Sequence, residues 1–247
     1  MPKFFLVQLR DYLHGADAVI NLGGIVGDPA CNLDLEFTSH CNYKSTVASA
    51  KICKELRISR YIFASSCSVY GKTEVAKASE EALAFPLSYY AKDKLECEQS
   101  IQLLAGENFY PTILRLGTLF GWSYRMRFDL VLNLLVAHAY LNGTIDVYGG
   151  SQWRPFLHVM DAAHAFILVL KASPSIVSNQ IFNVGSNSNN YQITNIATFI
   201  SQSIPTKINL MDDKDKSDNR DYQVDFSKIK NSLDLSLEIL SQKLFLK

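Results

Sequence analysis

Two tyrosines and two lysines lie close together in the stretch FPLSYYAKDKLECE, residues 85–98. On a helix, side chains four positions apart share a face, so Tyr90 and Lys94 would be neighbours. Tyr89 and Lys92, three positions apart, could also pair, and the spacing alone does not choose between the two pairs. A phenol beside an ammonium group could act as an acid or a base. In isolation, however, such a pair is more typical of a surface helix with incidental charges.

A serine-rich turn upstream could supply a third member of a proton-handling set. The segment SSCSVYG (65–71) overlaps the end of the apolar run RYIFASS (60–66), which is typical of a buried strand. In a parallel sheet, the end of this strand would lie beside the start of the helix after the next crossover. The hydroxyl of Ser66 could then hold a substrate hydroxyl in line. The cation of Lys94 would lower the pKa of the Tyr90 phenol, which is about 10 when free.

The elements that must position these residues alternate between apolar strands and longer helical stretches. This alternation predicts an α/β fold with a doubly wound parallel sheet covered by helices on both faces. Ligands on such sheets bind at the carboxyl ends of the strands. The predicted strands are 17–24, 60–66, 110–117, 145–150, 154–159 and 180–185, and the predicted helices are 36–56, 89–105, 129–142, one opening at Asp161, and 194–203.

The composition excludes several classes of protein. The chain has 247 residues, of which 48% are hydrophobic, so it can build a sizeable core. Its 24 basic and 24 acidic side chains cancel, so the basic excess typical of a nucleic-acid partner is missing. The five cysteines include no Cys-x-x-Cys pair, which argues against disulfides and zinc and favours a reducing, cytoplasmic compartment. The same absence of paired cysteines leads us to expect no metal. No apolar run reaches membrane-spanning length, so we expect no membrane partner.

Motifs that recur in order across almost the whole chain add specificity. SSCSVYG matches a Ser-Ser-x-x-Val-Tyr-Gly pattern, and YAKDKLECE (90–98) matches Tyr-x-x-x-Lys with a following acid, Glu98. The other matching segments are VINLGGIVGDPAC (19–31) with Asn42 in the next helix, RLGTLFG (115–121), RPFLHVMD (154–161), FNVG (182–185) and NRDYQVDFSK (219–228). Together they resemble the NAD-dependent epimerase/dehydratase group of the extended short-chain dehydrogenase/reductase superfamily, whose members act on nucleotide sugars.

The resemblance implies a role for each matched residue. In such enzymes Tyr90 would be the acid and base, Lys94 would bond the nicotinamide ribose, and Ser66 would bond the reacting sugar hydroxyl. The implied contacts of the cofactor, NAD with NADP not excluded, are Leu22, Gly23, Gly24, Asn42, Ser65, Tyr90, Lys94, Leu116 and Gly117. The implied contacts of the nucleotide-sugar substrate are Ser66, Cys67, Ser68, Thr118, Asn133, Arg154 and Arg220. Arginine suits a diphosphate, since a planar guanidinium bonds two oxygens at once.

Several of these residues also have a purely structural interpretation, which the sequence leaves open. Asp161 is typical of a helix N-cap, and Cys67 could pack behind Ser66. The others are His158 as a packed strand residue, Asn133 as a helix surface residue, and Arg220 as part of the charged run DDKDKSDNRD (212–221), which is predicted to be a solvated loop.

The front of the chain departs from the family pattern. The family opens with a strand and a Gly-x-x-Gly-x-x-Gly loop that approaches the dinucleotide pyrophosphate at a helix N-terminus. This chain has no such loop, because GGIVG (23–27) follows what resembles the family's fourth strand. Two βαβ-sized pieces, together about 60 residues, are therefore expected to be absent. Residues 1–17 are then expected to form the helix before that strand, with a start placed inside the gene.

These observations give an expected domain plan. We expect a Rossmann-like, N-terminally truncated sheet with a smaller C-terminal α/β substrate-binding region. The partial dinucleotide-binding domain would span 1–122, with 158–185 returning to its sheet. The substrate-binding region would comprise 123–157 and 186–247.

The implied function is NAD-dependent epimerisation of a nucleotide-diphosphate sugar by a cytoplasmic homodimer. Tyr90 would assist hydride abstraction and return through a keto intermediate. The alternatives are a nucleotide-sugar dehydratase or reductase, and a catalytically silent protein that binds a sugar nucleotide. Dehydratases of the group usually carry Asp-Glu where this chain has Cys67-Ser68, which lowers the dehydratase alternative.

The absent segment predicts weak cofactor binding by the isolated 247-residue chain. The strand DAVINLGG (17–24) would keep an unpaired apolar edge, so we also expect aggregation and slow or no turnover. A calorimetric titration of the purified chain with NAD measures this expectation. A dissociation constant in the micromolar range would contradict it.

Overall fold

The computed structural model describes residues 3–73, 75–211 and 218–235, with side chains described from residue 7 onward. The strands within these ranges are β1 Ala18–Asn21, β2 Arg60–Ser66, β3 Tyr110–Leu116, β4 Thr118–Phe120, β5 Thr144–Tyr148, β6 Trp153–His158, β7 Gln180–Val184, β8 Asn190–Gln192 and β9 Lys207–Met211. The helices are α1 Lys3–Leu13, α2 Asp28–Cys31, α3 Leu35–Ser39, α4 Ser45–Glu55, α5 Tyr89–Gln102, α6 Val131–Asn142, α7 Val159–Lys171, α8 Pro174–Val177, α9 Ile193–Ser203 and α10 Ser227–Leu233. None of these helices is long and apolar enough to cross a bilayer.

The predicted parallel sheet is confirmed. Four strands pair in the order β1-β2-β3-β7, and all three pairings are parallel. Among the described strands β1 pairs only with β2 and so lies at an edge. Its Ile20 side chain is 38% exposed, and Leu22 just beyond it is 64% exposed. The expected apolar edge is therefore present in the described part of the chain.

Alternation of apolar residues along the sheet gives each face its own core. In β2, Tyr61 and Phe63 join the cluster that includes Cys53 of α4 and Ile101 of α5. Ile62, between them, belongs to the opposite cluster, which contains α7 residues. Successive side chains on a strand point to opposite faces, so a run of apolar residues buries both. Helices therefore cover both faces, as the sequence predicted.

A smaller region is built from two short sheets. The orders are β4-β6-β8 and β5-β9, and β6-β8 is the antiparallel pair. Its core contains Leu135 of α6, Ile145 of β5, Phe156 of β6 and Ile196 of α9. The proposed boundaries between a dinucleotide-binding and a substrate-binding part stay a prediction.

One predicted helix start is wrong. The helix α7 begins at Val159, so Asp161 is not its N-cap but lies buried in the first turn. The cap is His158, whose Nδ1 accepts a hydrogen bond from the Met160 N–H at 3.2 Å. The physical reason is that β6 runs directly into the helix, which leaves the last strand residue in the capping position. His158 also packs edge-on against Phe120, with ring centroids 5.2 Å apart.

The segment 218–226 returns the chain to the carboxyl end of the sheet. Val224 exchanges hydrogen bonds with the Asn190 side chain, which donates to its carbonyl and accepts from its N–H. Tyr222, Val224 and Phe226 are buried in one cluster with Cys67 and Tyr70. These packed residues follow the charged run, whose described part, 218–221, is half-buried or exposed, while 212–217 lies outside the described residues.

Phe226 packs closely against Gly185, and this contact allows a test of how the segment 218–226 is anchored to the sheet. A Cβ at Gly185 would lie 2.5 Å from two ring atoms of Phe226, so Gly185→Ala must displace the ring. We expect a loss of about 2 kcal/mol in the free energy of unfolding, as is usual for overpacking. Gly106→Ala is the control, because an added Cβ there meets nothing within 4 Å. Urea unfolding of both variants measures the difference, and equal stabilities would disprove the anchor.

Candidate active site

A cavity of about 400 Å³ lies at the carboxyl ends of β2 and β3. Its walls come from these strand ends, the start of α5, the loop before α6 and the segment 218–222. The structure brings together here the predicted site residues Ser65, Ser66, Ser68, Tyr90, Leu116, Gly117, Thr118, Arg154 and Arg220. A short sequence motif and a distant charged segment thus meet at one place.

Ser66 and Tyr90 form the centre of this cavity's chemistry. Ser66 ends β2, and its Oγ accepts a hydrogen bond from the Ser68 N–H at 3.1 Å, which caps the following short helix. Tyr90 lies in the first turn of α5, which is capped by the Ser88 side chain. Burial raises the pKa of Tyr90 to about 12, against the charge of Arg127 and a hydrogen bond with Ser66, which both lower it. The phenol is therefore protonated at neutral pH in the ligand-free protein.

The second tyrosine of the motif faces away from the cavity. The side chain of Tyr89 is 52% exposed, and Lys92 Nζ lies 5.3 Å from its ring centroid. Helical spacing left both Tyr-Lys pairs open, and the structure places only Tyr90 in the cavity wall.

Lys94 lies one helical turn below Tyr90 and is buried. Its Nζ donates a hydrogen bond to the Ala64 carbonyl at 2.7 Å and lies 4.6 Å from the ring centroid of Phe63. The distance from Nζ to the Tyr90 ring centroid is 5.7 Å. Burial lowers the pKa of Lys94 to about 8, although nearby acids such as Glu98 oppose the change. Lys94 is thus close to the phenol but is not part of the cavity wall.

A buried polar network connects the catalytic turn to the sheet and to α5. Arg115 of β3 donates to Glu98 of α5 through Nη2 at 2.7 Å and Nε at 3.0 Å. Ser65 Oγ donates to the same carboxylate at 2.5 Å. Arg115 Nη1 donates to the Tyr70 hydroxyl at 2.9 Å, and that hydroxyl donates to Asn183 Oδ1 at 2.8 Å. Ser65 therefore lines the cavity with its hydroxyl already engaged by the network.

Five further residues predicted to contact the cofactor divide between two cavities, whereas Asn42 and Lys94 line neither. Leu116 and Gly117 line the first, whereas Leu22, Gly23 and Gly24 line a second cavity of about 750 Å³ beside β1. The wall of the second cavity is mostly apolar but includes hydroxyl groups, and it contains Leu9, Leu13, Val19, Ile20, Phe37, Thr46 and Ser49.

Asn42 holds the glycine loop after β1 and contributes to neither cavity wall. Its Oδ1 accepts from the Ile25 N–H at 2.7 Å, and its Nδ2 donates to the Ile25 carbonyl at 3.0 Å. A Cβ at Gly24 would lie 2.9 Å from the same Oδ1, so this close approach requires glycine. Asn42 lies in a π-helical turn, His40–Lys44, between α3 and α4.

Asn133 and Cys67 lie behind the cavity rather than in its wall. Asn133 Oδ1 accepts from the Gly121 N–H at 3.2 Å, and Nδ2 donates to the Arg127 carbonyl at 3.0 Å. The amide thus ties together the two ends of the loop that borders the cavity. The Cys67 thiol donates to the Arg115 carbonyl at 3.2 Å, and burial raises its pKa far above the ordinary value.

Charged residues that the sequence did not single out line the cavity as well. They are Asp28, Arg127, Asp129 and Asp218. Asp218 Oδ2 lies 2.8 Å from Arg154 Nη2 and 2.6 Å from Arg220 Nη2. Arg220 Nη1 also lies 3.4 Å from Asp28 Oδ2, across from the loop after β1. The family resemblance assigned these aspartates no role, although Asp28 lies in the matched segment 19–31 and Asp218 in the charged run, and folding brings Asp218 to Arg154 and Asp28 to Arg220.

One buried polar atom in the cavity wall, Ser68 Oγ, has no hydrogen-bond partner among the described residues, and Ser68 is 4% exposed. Buried polar groups are rarely left unsatisfied, so this hydroxyl points to a polar ligand. In the described ranges no group of histidine, cysteine and acidic side chains is placed to hold a metal ion.

The comparison with protein families decides the relationship. The model of the NAD dependent epimerase/dehydratase family matches residues 6–185. The chain belongs to this family. The resemblance carried by the sequence motifs is thereby confirmed, together with the placement of the Tyr-Lys helix and the serine turn within a family domain.

Individual relatives are similar over part of their length. YtcB of Bacillus subtilis, described as an uncharacterized UDP-glucose epimerase, is 28% identical over 72% of this chain and 56% of its own. Human dTDP-D-glucose 4,6-dehydratase is 27% identical over 62% of this chain and 42% of its own. The matches thus span about half the length of these curated relatives. The solved UDP-glucuronic acid 4-epimerase of Bacillus cereus has the same fold, with TM-score 0.82, 22% identity, and coverage of 94% of this chain and 73% of that one.

Removal of one charge from the buried network tests its structural importance. Glu98→Gln keeps the shape of the side chain but leaves the Arg115 guanidinium, 4% exposed, without its counter-ion. Breaking a buried ion pair from one side costs about 3 kcal/mol or more, so we expect a loss of this size in the free energy of unfolding. Glu96→Gln, two positions away on the exposed side of α5, is the matched control and should change it by less than about 0.5 kcal/mol. Guanidinium unfolding curves compare the two, and similar midpoints would contradict the assignment.

Proposed function

We propose that this protein is an NAD-dependent epimerase of a nucleotide-diphosphate sugar. The observation that carries the proposal is one cavity lined by Ser66, Tyr90, Arg154 and Arg220. The hydrogen-bonded hydroxyl and phenol suit a reacting sugar hydroxyl, and the paired guanidiniums suit a diphosphate. Support comes from the relatives, since YtcB is described as a UDP-glucose epimerase and the Bacillus cereus epimerase was solved with UDP-glucuronic acid and NAD.

The residues of this chain fit part of a dinucleotide. The second cavity combines apolar side chains with the glycine loop after β1, which suits the close approach of a flat ring. Leu22, Gly23 and Gly24 would contact the cofactor there, and Leu116 with Gly117 would contact it in the first cavity. When bound, NAD accepts a hydride from the sugar carbon and later returns it.

In the proposed mechanism this chain's residues manage the proton and the orientation. Ser66 holds the reacting hydroxyl, and Tyr90 removes its proton as the carbon loses its hydride, which leaves a ketone on the sugar. After the sugar turns, Tyr90 returns the proton as the hydride arrives on the other face. A phenol with a pKa of about 12 needs a nearby cation to act as a base at neutral pH. The value of about 12 already includes the lowering effect of Arg127, so the phenolate needs a further cation, and we propose Lys94, whose Nζ lies 5.7 Å from the ring centroid.

The same cavity disfavours a dehydratase. Elimination of water needs an additional acid and base near the sugar. The positions that would supply them hold Cys67, whose pKa burial raises far above neutrality, and Ser68. We therefore propose hydride removal and return without elimination. A homodimer, which the family resemblance implied, and a cytoplasmic location, which the cysteine pattern favoured, are part of this proposal, and sedimentation of the purified protein tests its dimeric state.

Substitution of one phenol tests the proposed chemistry. Tyr90→Phe in the full gene product removes the proton carrier, so kcat should fall about 10²- to 10⁴-fold while KM stays within a factor of about three. The assay follows the C4 epimer of UDP-glucose or UDP-glucuronic acid by chromatography in the presence of NAD.

Tyr89→Phe is the matched control, since its exposed ring faces away from the cavity. It should keep turnover near that of the unsubstituted protein. Unchanged turnover in Tyr90→Phe would refute the mechanism. Tight binding of the nucleotide sugar with no product in any variant would instead favour a silent binding protein.

A further inference from the structure

Protein carboxylates neutralise every arginine that the described part of the cavity wall contains. Arg127 pairs with Asp129 at 2.5 Å, Arg154 with Asp218 at 2.8 Å, and Arg220 with both Asp218 and Asp28. The formal charges of these three arginines and three aspartates cancel. A diphosphate entering such a cavity gains little attraction unless a carboxylate gives up its place, because like charges at these distances repel.

Asp218 occupies the position that a phosphate oxygen would take between two arginines. A single oxygen, Oδ2, lies within 2.8 Å of Arg154 Nη2 and 2.6 Å of Arg220 Nη2. Its other oxygen, Oδ1, accepts from Arg220 Nε at 2.8 Å and from the Arg220 N–H at 3.1 Å. Guanidinium groups bind carboxylates and phosphates through the same bidentate geometry. The carboxylate therefore imitates the ligand that this family's arginines would bind.

Arg154 is held in place without help from Asp218. Its Nη1 donates to the Trp153 carbonyl at 2.6 Å and to the Arg220 carbonyl at 2.5 Å. Its guanidinium carbon lies 5.4 Å from the ring centroid of Tyr222. Its Nη2 forms the ion pair with Asp218 Oδ2, at 2.8 Å. The cation is thus preorganised, and the contact with Asp218 is the replaceable one.

The carboxylate of Asp218 is also more accessible to solvent than the guanidinium that it contacts. Its side chain is 36% exposed, whereas that of Arg154 is 6% exposed. Burial alone would raise the pKa of Asp218, but hydrogen bonds and charges from Arg220 and Arg154 outweigh it and hold the pKa far below its ordinary value. The carboxylate is therefore ionised at all physiological pH values and competes with an anionic ligand throughout.

We propose that Asp218 is a specificity-determining residue that occupies a phosphate position in the free protein and is displaced by the diphosphate of the substrate. The proposal rests on the proposed function, because it takes Arg154 and Arg220 as the diphosphate contacts. Only a ligand with enough negative charge to replace a carboxylate between two arginines gains entry. Neutral sugars and singly charged ligands are excluded by the same contact.

Calorimetric titration with UDP tests the displacement. Asp218→Asn removes the competing charge but keeps the shape, so it should bind UDP about tenfold more tightly than the unsubstituted protein. Asp146→Asn is the matched control, because Asp146 is exposed on β5, bonds only Asn209 among the described contacts, and lies outside the cavity wall. It should leave the affinity unchanged, and Arg154→Met should abolish binding.

A measurement on the unsubstituted protein covers the case in which Asp218→Asn folds poorly. The Arg220 N–H donates to Asp218 Oδ1. Displacement of that carboxylate should speed hydrogen exchange of this amide when UDP binds, whereas a ligand that leaves Asp218 in place should slow it. NMR of the amide with and without UDP distinguishes the two.

The outcomes separate the two proposals. Equal or weaker UDP binding by Asp218→Asn, or slower exchange of the Arg220 amide, overturns the displacement of Asp218. If Arg154→Met still loses UDP binding in that case, the proposed function stands. Absence of UDP binding in every variant overturns both. Tighter binding by Asp218→Asn with no epimer formed supports the displaced carboxylate and refutes only the epimerase.

Discussion

The fold and the site depend on one buried ion pair, between Glu98 and Arg115. The carboxylate belongs to α5, which carries Tyr90, and the guanidinium belongs to β3, the strand beside the serine turn. Two charges removed from water stabilise a fold only when geometry and further hydrogen bonds satisfy them. Here Ser65 and Tyr70 provide those bonds, so the helix, the strand and the turn are joined in one orientation. The position of the phenol relative to Ser66 follows from that orientation.

The same arrangement explains why the cavity can be polar without weakening the core. Ser66, Tyr90 and Arg154 use some of their polar atoms for the protein itself and direct others toward the cavity. The apolar clusters on the two faces of the sheet lie below this layer. The hydrogen bonds of these polar groups thus set the boundary of the cavity, and the apolar core beneath it needs only to be closely packed.

The sequence predicted most of the frame because the frame obeys local rules. Strands such as 60–66 have a continuous apolar pattern, and α5 has Ser88 as its cap and Tyr90 at a motif position. The family resemblance assigned Ser66, Tyr90 and Arg154 to one active site, and all three line the same cavity. It could not predict that Lys94 bonds the Ala64 carbonyl, that Asn42 and Asn133 hold loops, or that Asp218 lies between two arginines. Most of those contacts join residues far apart in the chain, such as Lys94 with Ala64 and Asp218 with Arg154, and each side chain had several partners of suitable chemistry. The prediction of Asp161 as the N-cap was wrong for a local reason. His158, three positions earlier, caps the helix instead.

The π-helical turn at His40–Lys44 has a consequence for how this family's sequences can vary. Such a turn holds one residue more than an α-helical turn, so it changes the angular phase between the helices on either side by about 100°. A straight helix of the same sequence would direct Asn42 away from the Ile25 backbone that it now clamps. Deletion of a single residue here would therefore disorder the loop after β1, even if every hydrophobic residue of the helix were kept. Insertions and deletions at this point are therefore limited by the rotation of the helix that they cause, rather than by the loss of buried apolar surface.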